Sequence, residues 1–424
     1  MLANGLKQKC NPWLWVPSLY LAEGFPNAVV VTVAVILLKN MGMDNGRVAF
    51  YTSLLYLPWV IKPFWAPFVD IFSTKRRWIV LMQAAIFVGL GIVAGVLDTP
   101  FWLSVTLGAL WWTAFASATH DIAADGFYML ALDDRSQAFF VGIRSTFYRA
   151  ANMLVSGGVV WATGRLVSSG YSVMSAWITL FAAMALLFLL FAIWHSITLP
   201  APTIDIPNKK RRIKAIFSDF SRTFITFFQK NDIWCAVSFI LLYRLPESLL
   251  CKMVQPFLLD SHTDGGLALS IEQVGIANGT FGVAGIVIGG IAGGIVLSRI
   301  GLHRCMWPMA LMLTIPSGFY CYLAMAQPSS MPIICTGMAI EQFGYGFGFT
   351  AYMMYMMKFC EGSEYTTSHY AFCTGLMALG LMLPGMIAGW IEQAAGYSAF
   401  FVIVMILCIP TFIVTAIAKS KLKS

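Results

Sequence analysis

PAPTIDIPNKKRRIKAIFSDFSRTF, residues 200–224, is the longest polar interruption in a chain that otherwise runs from one apolar stretch to the next. It is Pro-bearing and basic, as a solvent-exposed connector should be, and the residues after Lys214 suit a short helix lying at a membrane surface. Residues 1–199 before the connector and 233–424 after it each hold six apolar stretches long enough to cross a bilayer, so the connector, taken as 200–232, divides the chain into two six-helix domains. The expected spans are 13–38, 48–69, 78–97, 101–131, 138–164 and 174–199, then 233–259, 274–298, 305–325, 331–357, 366–391 and 398–418. With 59% hydrophobic and 11% charged residues in 424, against roughly 25% charged in a soluble domain, the fold class is an all-α membrane protein with twelve transmembrane helices. The first apolar run contains Glu23 and Pro26, exceeds a signal-peptide core and lacks a small-residue cleavage site, so it is read as a retained span.

Nine cysteines lie scattered, mostly within apolar spans, and form no CxxC pair or Cys/His cluster with zinc spacing. No metal, disulfide framework or other cofactor is expected. The net charge of +8 raises nucleic acid as a partner, but the distribution of the basic residues assigns it to topology. One set of loops carries Lys75-Arg76-Arg77, the Lys209–Arg212 cluster, Arg299, Arg304 and the final lysines; the other set carries only Lys39, Arg47 and Arg165. Basic loops stay cytoplasmic, so both termini and the connector are expected inside, and nucleic-acid binding loses its support.

The halves repeat at a spacing of about 220–230 residues. Phe25-Pro26 followed by Leu37-Leu38 echoes Leu245-Pro246 followed by Phe257-Leu258, Gly170-Tyr171-Ser172 recurs as Gly396-Tyr397-Ser398, and DIFSTKRRW (70–78) lies where SRIGLHRCMW (298–307) lies in the second half. Both halves start on the same side, so the repeats are parallel, which is the plan of the major facilitator fold.

Once the loops are set aside, the ionisable residues left in the spans are Glu23, Lys62, Asp121, Asp125, Arg144, Arg149, Arg244, Glu247, Lys252 and Glu341. Each costs roughly 2.5–3.5 kcal/mol at mid-membrane unless it faces protein or water. Spans 3, 6, 9 and 12 have none in their apolar stretches, which puts them outside and spans 1, 4, 7 and 10 around a central cavity. At about 1.5 Å per residue from the connecting loop, Asp125 lies about 12 Å deep and Asp121 about 18 Å, while Arg144 lies about 10 Å and Arg149 about 18 Å deep. Asp121 and Asp125 share a helix face at i, i+4, whereas Arg144 and Arg149, five apart, do not. At most one tight Asp–Arg pair is expected, with the other arginine free. The alternative is that such pairs only fix helix packing. Arg244 and Glu247, at i, i+3, are expected to pair with each other. Lys62 is expected to snorkel or to meet Asp70, and Lys252 to attract anions at the entrance of the second half. Tyr20, Trp111 and Tyr345 are candidates for stacking on a solute, against the commoner role of filling between helices. Pro26, Pro246 and Pro384 are candidate bends, and Asp70 and Arg76 candidate gating residues. Gly285, Gly289 and Gly293 read as a close-packing stripe. His120 beside Asp121 does not make a hydrolytic site without a nucleophile or metal ligands, so no enzyme is expected; His195 and His262 look incidental.

The stretches LAEGFPNAVVVTVAVILLKNMGM (21–43), LPWVIKPFWAPFVDIF (57–72), HDIAADGFYMLALDD (120–134), RLPESLLCKMVQPFLLD (244–260) and the long run from Glu341 to Tyr397 resemble the AmpG-type muropeptide permeases of the major facilitator superfamily. The resemblance rests on Gly24 to Pro26, Lys62 to Asp70, and Asp121 to Asp125, and covers nearly the whole chain. Many such permeases are longer, and Glu23 adds a carboxylate where small or polar residues are common. The resemblance implies proton-driven import of anhydro-muropeptides (GlcNAc-anhydroMurNAc peptides) across the inner membrane of a Gram-negative bacterium, for cell-wall recycling. On that reading Asp121, Asp125 and Glu23 carry the proton, and Arg144, Arg149, Arg244, Glu247, Glu341, Lys252, Tyr20, Trp111 and Tyr345 meet the solute. The partners are then a small-molecule solute, protons and membrane lipid, and a monomer is expected. Alternative functions are import of another anionic or sugar-like solute, such as a siderophore, an oligosaccharide or an acetyl-CoA-like compound, and a non-transporting ligand sensor.

Overall fold

Apolar runs of this length form helices because no water is present in the bilayer to satisfy free backbone groups, and helices account for nearly all of the structure. It is a computed structural model that describes residues 11–203, 205, 213–361 and 366–422, and no β-strand occurs among them. In the first half the spans are Pro12–Asn40 (span 1), Asn45–Leu54 with Leu57–Phe72 (span 2), Lys75–Val96 (span 3), Trp102–Ala131 (span 4), Asp134–Met153 continuing to Val160–Ser168 (span 5) and Val173–Thr198 (span 6). Helix Ile213–Phe228 occupies the connector. The second half contains Ile233–Leu259 (span 7), Ile271–Ile300 (span 8), Leu302–Ala326 (span 9), Met331–Cys360 (span 10), and a helix Thr366–Ile406 that holds span 11 and the start of span 12, which ends with Cys408–Lys421. The break between spans 11 and 12 is at Gly396 (φ 75°), and its counterpart Gly170 between spans 5 and 6 is also left-handed (φ 97°). The sequence repeat thus marks the same backbone event twice, at a conformation that glycine adopts without strain.

Spans 6 and 12 show every-third-or-fourth apolar stripes facing outward, at Leu186, Leu190, Ile193 and Ile197 and at Ile409, Ile413 and Ile417. In lipid such stripes are the solvated surface rather than a liability. Their opposite faces, such as Trp177, Phe181 and Phe188 on span 6, are fully buried. Spans 2, 4, 5 and 10 differ: they hold Lys62, Asp121, Asp125, Arg144, Arg149 and Glu341. Spans 4 and 10 are 30 residues each, or about 45 Å of helix, which exceeds a hydrocarbon layer of about 30 Å.

Three spans change pitch at mid-membrane. π-helical turns occupy Val29–Val33 in span 1, Leu154–Val159 in span 5 and Gly275–Gly282 in span 8. These turns meet where the halves touch. A methyl added at Gly157 would come 3.0 Å from the Gly279 carbonyl carbon, so the two backbones are in contact. Span 7 instead breaks outright at Arg244 (φ −107°, ψ 20°), with Pro246 opening its second segment Leu245–Leu259. Proline suits that position because the first turn needs no N–H from it.

On the face opposite the termini, a polar seam closes the space between the halves. Asn45 at the head of span 2 donates through Nδ2 to Glu392 (2.8 Å) and to Asp260 (3.1 Å), Tyr397 donates to Asp260 (2.6 Å), and Lys39 pairs with Asp260 at 2.5 Å. Arg165 and Glu272 meet at 3.8 Å on the rim. Deeper, the Cβ that Gly385 lacks would contact Ser53 and Lys252. The two halves therefore meet from mid-membrane to this face.

Within the second half, the glycine stripe of span 8 lies on span 10. A Cβ at Gly285, Gly289 or Gly293 would run into the backbone at Ala339, Phe343 and Phe347. Gly294, one residue further round the helix, has open space beside it. Overpacking a tight helix contact costs about 1–3 kcal/mol. Gly289→Val is accordingly expected to lower the thermal unfolding midpoint of the detergent-solubilised protein by several degrees, while Gly294→Val leaves it within error of wild type. Equal midpoints for the two variants would refute the close-packing assignment.

Candidate functional site: a charged cavity between the halves

The helix breaks bring together side chains that no single straight span could present. A cavity of about 440 Å³ is bounded by spans 1, 2, 5, 7, 8, 10 and 11, with Asn27 and Thr32 from span 1, Tyr148, Arg149 and Asn152 from span 5, Arg244 and Glu247 from span 7, Asn278 from span 8 and Gln342 and Tyr345 from span 10. A smaller recess of about 140 Å³ continues from it between spans 7, 8 and 10.

Arg149 projects from the first half toward the second. Its guanidinium lies against Gly290 of span 8 and reaches the Ile286 carbonyl at 3.5 Å, and no carboxylate pairs with it among the described residues. Arg244 donates to the Tyr345 hydroxyl and is ringed by Phe349 (4.9 Å), Tyr345 (5.2 Å) and Tyr352 (5.9 Å). The expected Arg244–Glu247 pair does not form. The reason is the helix break at Arg244: the i, i+3 relation holds only when both residues are in one helix, and Arg244 caps the second segment rather than belonging to it. Glu247 lines the cavity, and among the described residues it makes no hydrogen bond or ion pair. Glu341, 2% exposed, accepts from Tyr320 (3.2 Å) and Gln342 (2.8 Å) and lines the recess.

The carboxylates of the first half form a separate cluster. Arg144 pairs with Asp125 at 2.7 Å and stacks over Tyr20 (4.4 Å) and Tyr128 (5.2 Å), and Tyr20 donates to the same carboxylate at 3.3 Å. Among the described residues Asp121 meets no arginine. It takes Lys62 at 3.6 Å and the Trp59 indole N–H at 3.2 Å. Lys62 therefore neither snorkels nor joins Asp70 in any contact described, because Asp121 on the neighbouring span is within its reach; the Asp70 side chain lies outside the described residues. Glu23, 7% exposed, has an unpartnered Oε2 and sits among Asp125, Asp121, Lys62 and Arg144. None of Glu23, Asp121, Asp125 or Arg144 is a wall of the cavity itself. Tyr148 stands between, lining the cavity while lying in the field of all three carboxylates.

Three further expectations are corrected. Lys252 is fully buried, donating to Thr52 (3.4 Å) and lying over the Tyr56 ring (4.6 Å) inside the seam, so it is not an exposed entrance charge. Trp111 stacks on Phe115, one turn along span 4, and is not a cavity wall. Arg76 holds the end of span 6 by donating to the carbonyls of Ser196 (2.6 Å) and Leu199 (3.0 Å), a contact within one half. Pro26 and Pro246 do lie at the departures from regular helix in spans 1 and 7.

A count of charged residues alone overlooks the uncharged polar groups. Asn27, Asn152, Asn278 and Gln342 line the cavity. His195 is not incidental: Gln83 lies within 3.0 Å of both His120 and His195, and Ser18 is 3.0 Å from the far side of the His195 ring, a largely buried network joining spans 1, 3, 4 and 6. The available signal was amide and histidine residues recurring inside apolar runs, which are costly when left unbonded.

No protein-family model matches the chain. It is 25% identical over 410 residues to an anhydromuropeptide permease of Escherichia coli strain K12, which covers 95% of this chain and 78% of that one. It is 21% identical over 417 residues to a Rickettsia felis protein named transporter AmpG 4, covering 95% of each. Among solved structures it superposes on the nucleoside transporter NupG (TM-score 0.69, 14% identity, 96% of this chain and 99% of that one) and on a bacterial homologue of the human lysosomal transporter Spinster in an inward-facing conformation (TM-score 0.69, 15% identity, 98% and 96%). These relatives are permeases and transporters, not enzymes. The chain is a multi-pass membrane transporter with the major facilitator fold, similar over nearly all its length to the AmpG-type permeases.

Proposed function

We propose that the protein imports anhydro-muropeptides across the inner membrane of a Gram-negative bacterium, driven by protons, with both termini and the connector in the cytoplasm. The observation that carries this reading is Arg149: a guanidinium reaching from one half to the other, in a cavity between them, with no acidic partner among the described residues. An unpaired cation at that depth is costly, and a solute carboxylate would satisfy it with charge-assisted hydrogen bonds. Arg244 supplies a second such group, and Tyr148, Tyr56 and Tyr345 offer ring faces for sugars. The E. coli relative is named for anhydromuropeptides, which combine an aminosugar pair with an acidic peptide. The basic loops on the terminal face support the orientation, and the seam on the other face then makes this an inward-facing state.

Protons would be carried by the first-half cluster. Asp121 and Glu23 each hold a buried carboxylate oxygen without a hydrogen bond, whereas Asp125 is committed to Arg144 and Tyr20. In this scheme Asp121 and Glu23 load a proton from outside and release it inside, and Lys62 compensates Asp121 when the proton has left.

Purified full-length protein in liposomes is expected to accumulate labelled GlcNAc-anhydroMurNAc-tripeptide when the exterior is made acidic relative to the lumen, and a protonophore should abolish the accumulation. No accumulation, with uptake of a different anionic solute instead, would remove the muropeptide assignment. Asp121→Asn is expected to eliminate concentrative uptake while leaving counterflow exchange; full pH-driven accumulation in that variant would take Asp121 out of the coupling role. Arg149→Ala should raise the KM for uptake about tenfold, about 1.4 kcal/mol of lost binding, and Arg149→Lys should restore only part of it because the bidentate geometry is lost. An unchanged KM in Arg149→Ala would show that the solute does not reach this residue.

A further inference from the structure

Two arginines and two glutamates line the cavity and its recess, and none of the four is ion-paired within the protein among the described residues. Arg149 and Arg244 carry the positive charge, and Glu247 and Glu341 the negative. Opposite charges sharing one cavity would ordinarily pair. Here the helix break turns Arg244 toward Tyr345 and Phe349, leaving Glu247 with no partner among the described residues. The arrangement is matched in charge yet open at both poles, as a binding site for a solute of both signs would be.

The recess shows which sign goes where. It shares Thr32, Glu247, Cys251, Asn278 and Gln342 with the main cavity, so the two are continuous. Two of its donors, the Tyr320 O–H and one Gln342 Nε2–H, point at Glu341 Oε2. Beside Glu341 stand the Glu247 carboxylate and the Gln255 side chain, 5% exposed, whose Oε1 has no hydrogen-bond partner among the described residues, while Thr32 and Asn278 add neutral groups that can donate or accept. A primary ammonium is three donors and no acceptor, which suits a recess whose formal charges are both negative. At roughly 30 Å³ per water, 140 Å³ holds the volume of only a few waters, suited to an ammonium and its methylene stem. Span 7 carries the recess outward from the arginines, with Gln255 about 16 Å along the chain from Arg244.

We infer that the recess lined by Glu247, Gln255 and Glu341 is a cation subsite that takes a primary ammonium group of the transported solute, while Arg149 and Arg244 hold its anionic groups. The inference rests on the transporter reading and narrows it: the cargo is dipolar, and masking its amine should cost transport. Two carboxylates are also a possible seat for Na⁺, and the test separates the two ions.

Cys251 lines both the recess and the cavity and serves as the reporter. Full-length protein in detergent is treated with aminoethyl (cationic), sulfonatoethyl (anionic) or methyl (neutral) methanethiosulfonate, and labelling at Cys251 is read by peptide mass spectrometry and normalised to each reagent's rate on a free thiol. The cationic reagent is expected to be favoured over the anionic one at least tenfold, and Glu247→Gln, Glu341→Gln or Gln255→Leu should each reduce that preference severalfold, so the result does not hang on one variant folding. Ethylammonium should protect Cys251 from the neutral reagent, whereas Na⁺ at equal ionic strength should not. No cationic preference, no labelling of Cys251 by any reagent, or protection by Na⁺ and not by ethylammonium would each overturn the assignment. A parallel uptake assay compares muropeptides whose peptide amine is free or N-acetylated, with the free amine expected to win at least tenfold. Uptake of neither form alongside cation-selective Cys251 would remove the muropeptide reading and leave the subsite. Equal uptake of both forms would leave the muropeptide reading and remove the subsite.

Discussion

A charge held at mid-membrane must meet an opposite charge, a set of hydrogen-bond partners or water, and the molecule is organised by how each of its ten intramembrane ionisable groups meets that demand. For four of them, all in the first half, the answer is internal: Asp125 takes Arg144, and Asp121 takes Lys62 and Trp59. Those contacts tie span 4 to spans 2 and 5, and the Tyr20 hydroxyl adds span 1. Spans 6 and 12 carry no such group, and their isoleucine and leucine stripes face lipid. Spans 8 and 11 carry none either yet bound the cavity, so charge places the outermost helices while packing completes the wall.

That constraint also explains which features could be read from the chain. The spans follow from composition and length, and the halves from paired signals such as Gly170 and Gly396, whose shared left-handed conformation is a local property of a short sequence. The glycine stripe of span 8 was legible for the same reason: its spacing is fixed by helix geometry alone. Partners across helices were not legible. Asp121 and Arg149 match in depth, but depth leaves the rotation of each helix about its axis free, and rotation turned Arg149 toward span 8 and gave Asp121 to Lys62. Arg244 and Glu247 would have paired in a continuous helix, and only the break at Arg244 separates them. The Gln83–His120–His195 network escaped notice because its side chains carry no fixed charge, and the Asn45 seam because its charged members, Lys39, Asp260 and Glu392, lie at span ends far apart in the sequence.

The seam and the π-turns divide the interface between halves into two kinds of contact. At mid-membrane, glycine backbones of spans 5 and 8 touch directly, through segments whose pitch already departs from the α-helix. At Gly157 and Gly279 there is no side chain to interlock, so this contact can tilt without breaking a side-chain hydrogen bond. On the face opposite the termini, by contrast, Asn45, Asp260, Glu392, Tyr397 and Lys39 hold the halves by directional polar bonds. Bonds of this kind exchange readily for water, since each donor and acceptor is satisfied on either side of the change. A fulcrum of bare backbone beside a latch of water-exchangeable polar groups is what one half rocking against the other requires.

The intramembrane charges fall into two sets, and the difference between them bears on the proposed cycle. A carboxylate that is to exchange protons must stay close to a compensating cation, or the deprotonated state is too costly to visit; Asp121 beside Lys62 and Glu23 within the Arg144–Lys62 field meet that condition. A residue that is to hold a charged solute must instead be left without an internal ion pair, so that the solute supplies one; among the described residues Arg149, Arg244 and Glu247 meet that condition. Tyr148, which lines the cavity and lies in the field of the carboxylates, connects the two sets. On the proposed cycle coupling would need no proton to enter the cavity: a solute carboxylate drawn to Arg149 would alter the field across Tyr148, and that change would act on carboxylates that the solute itself does not touch.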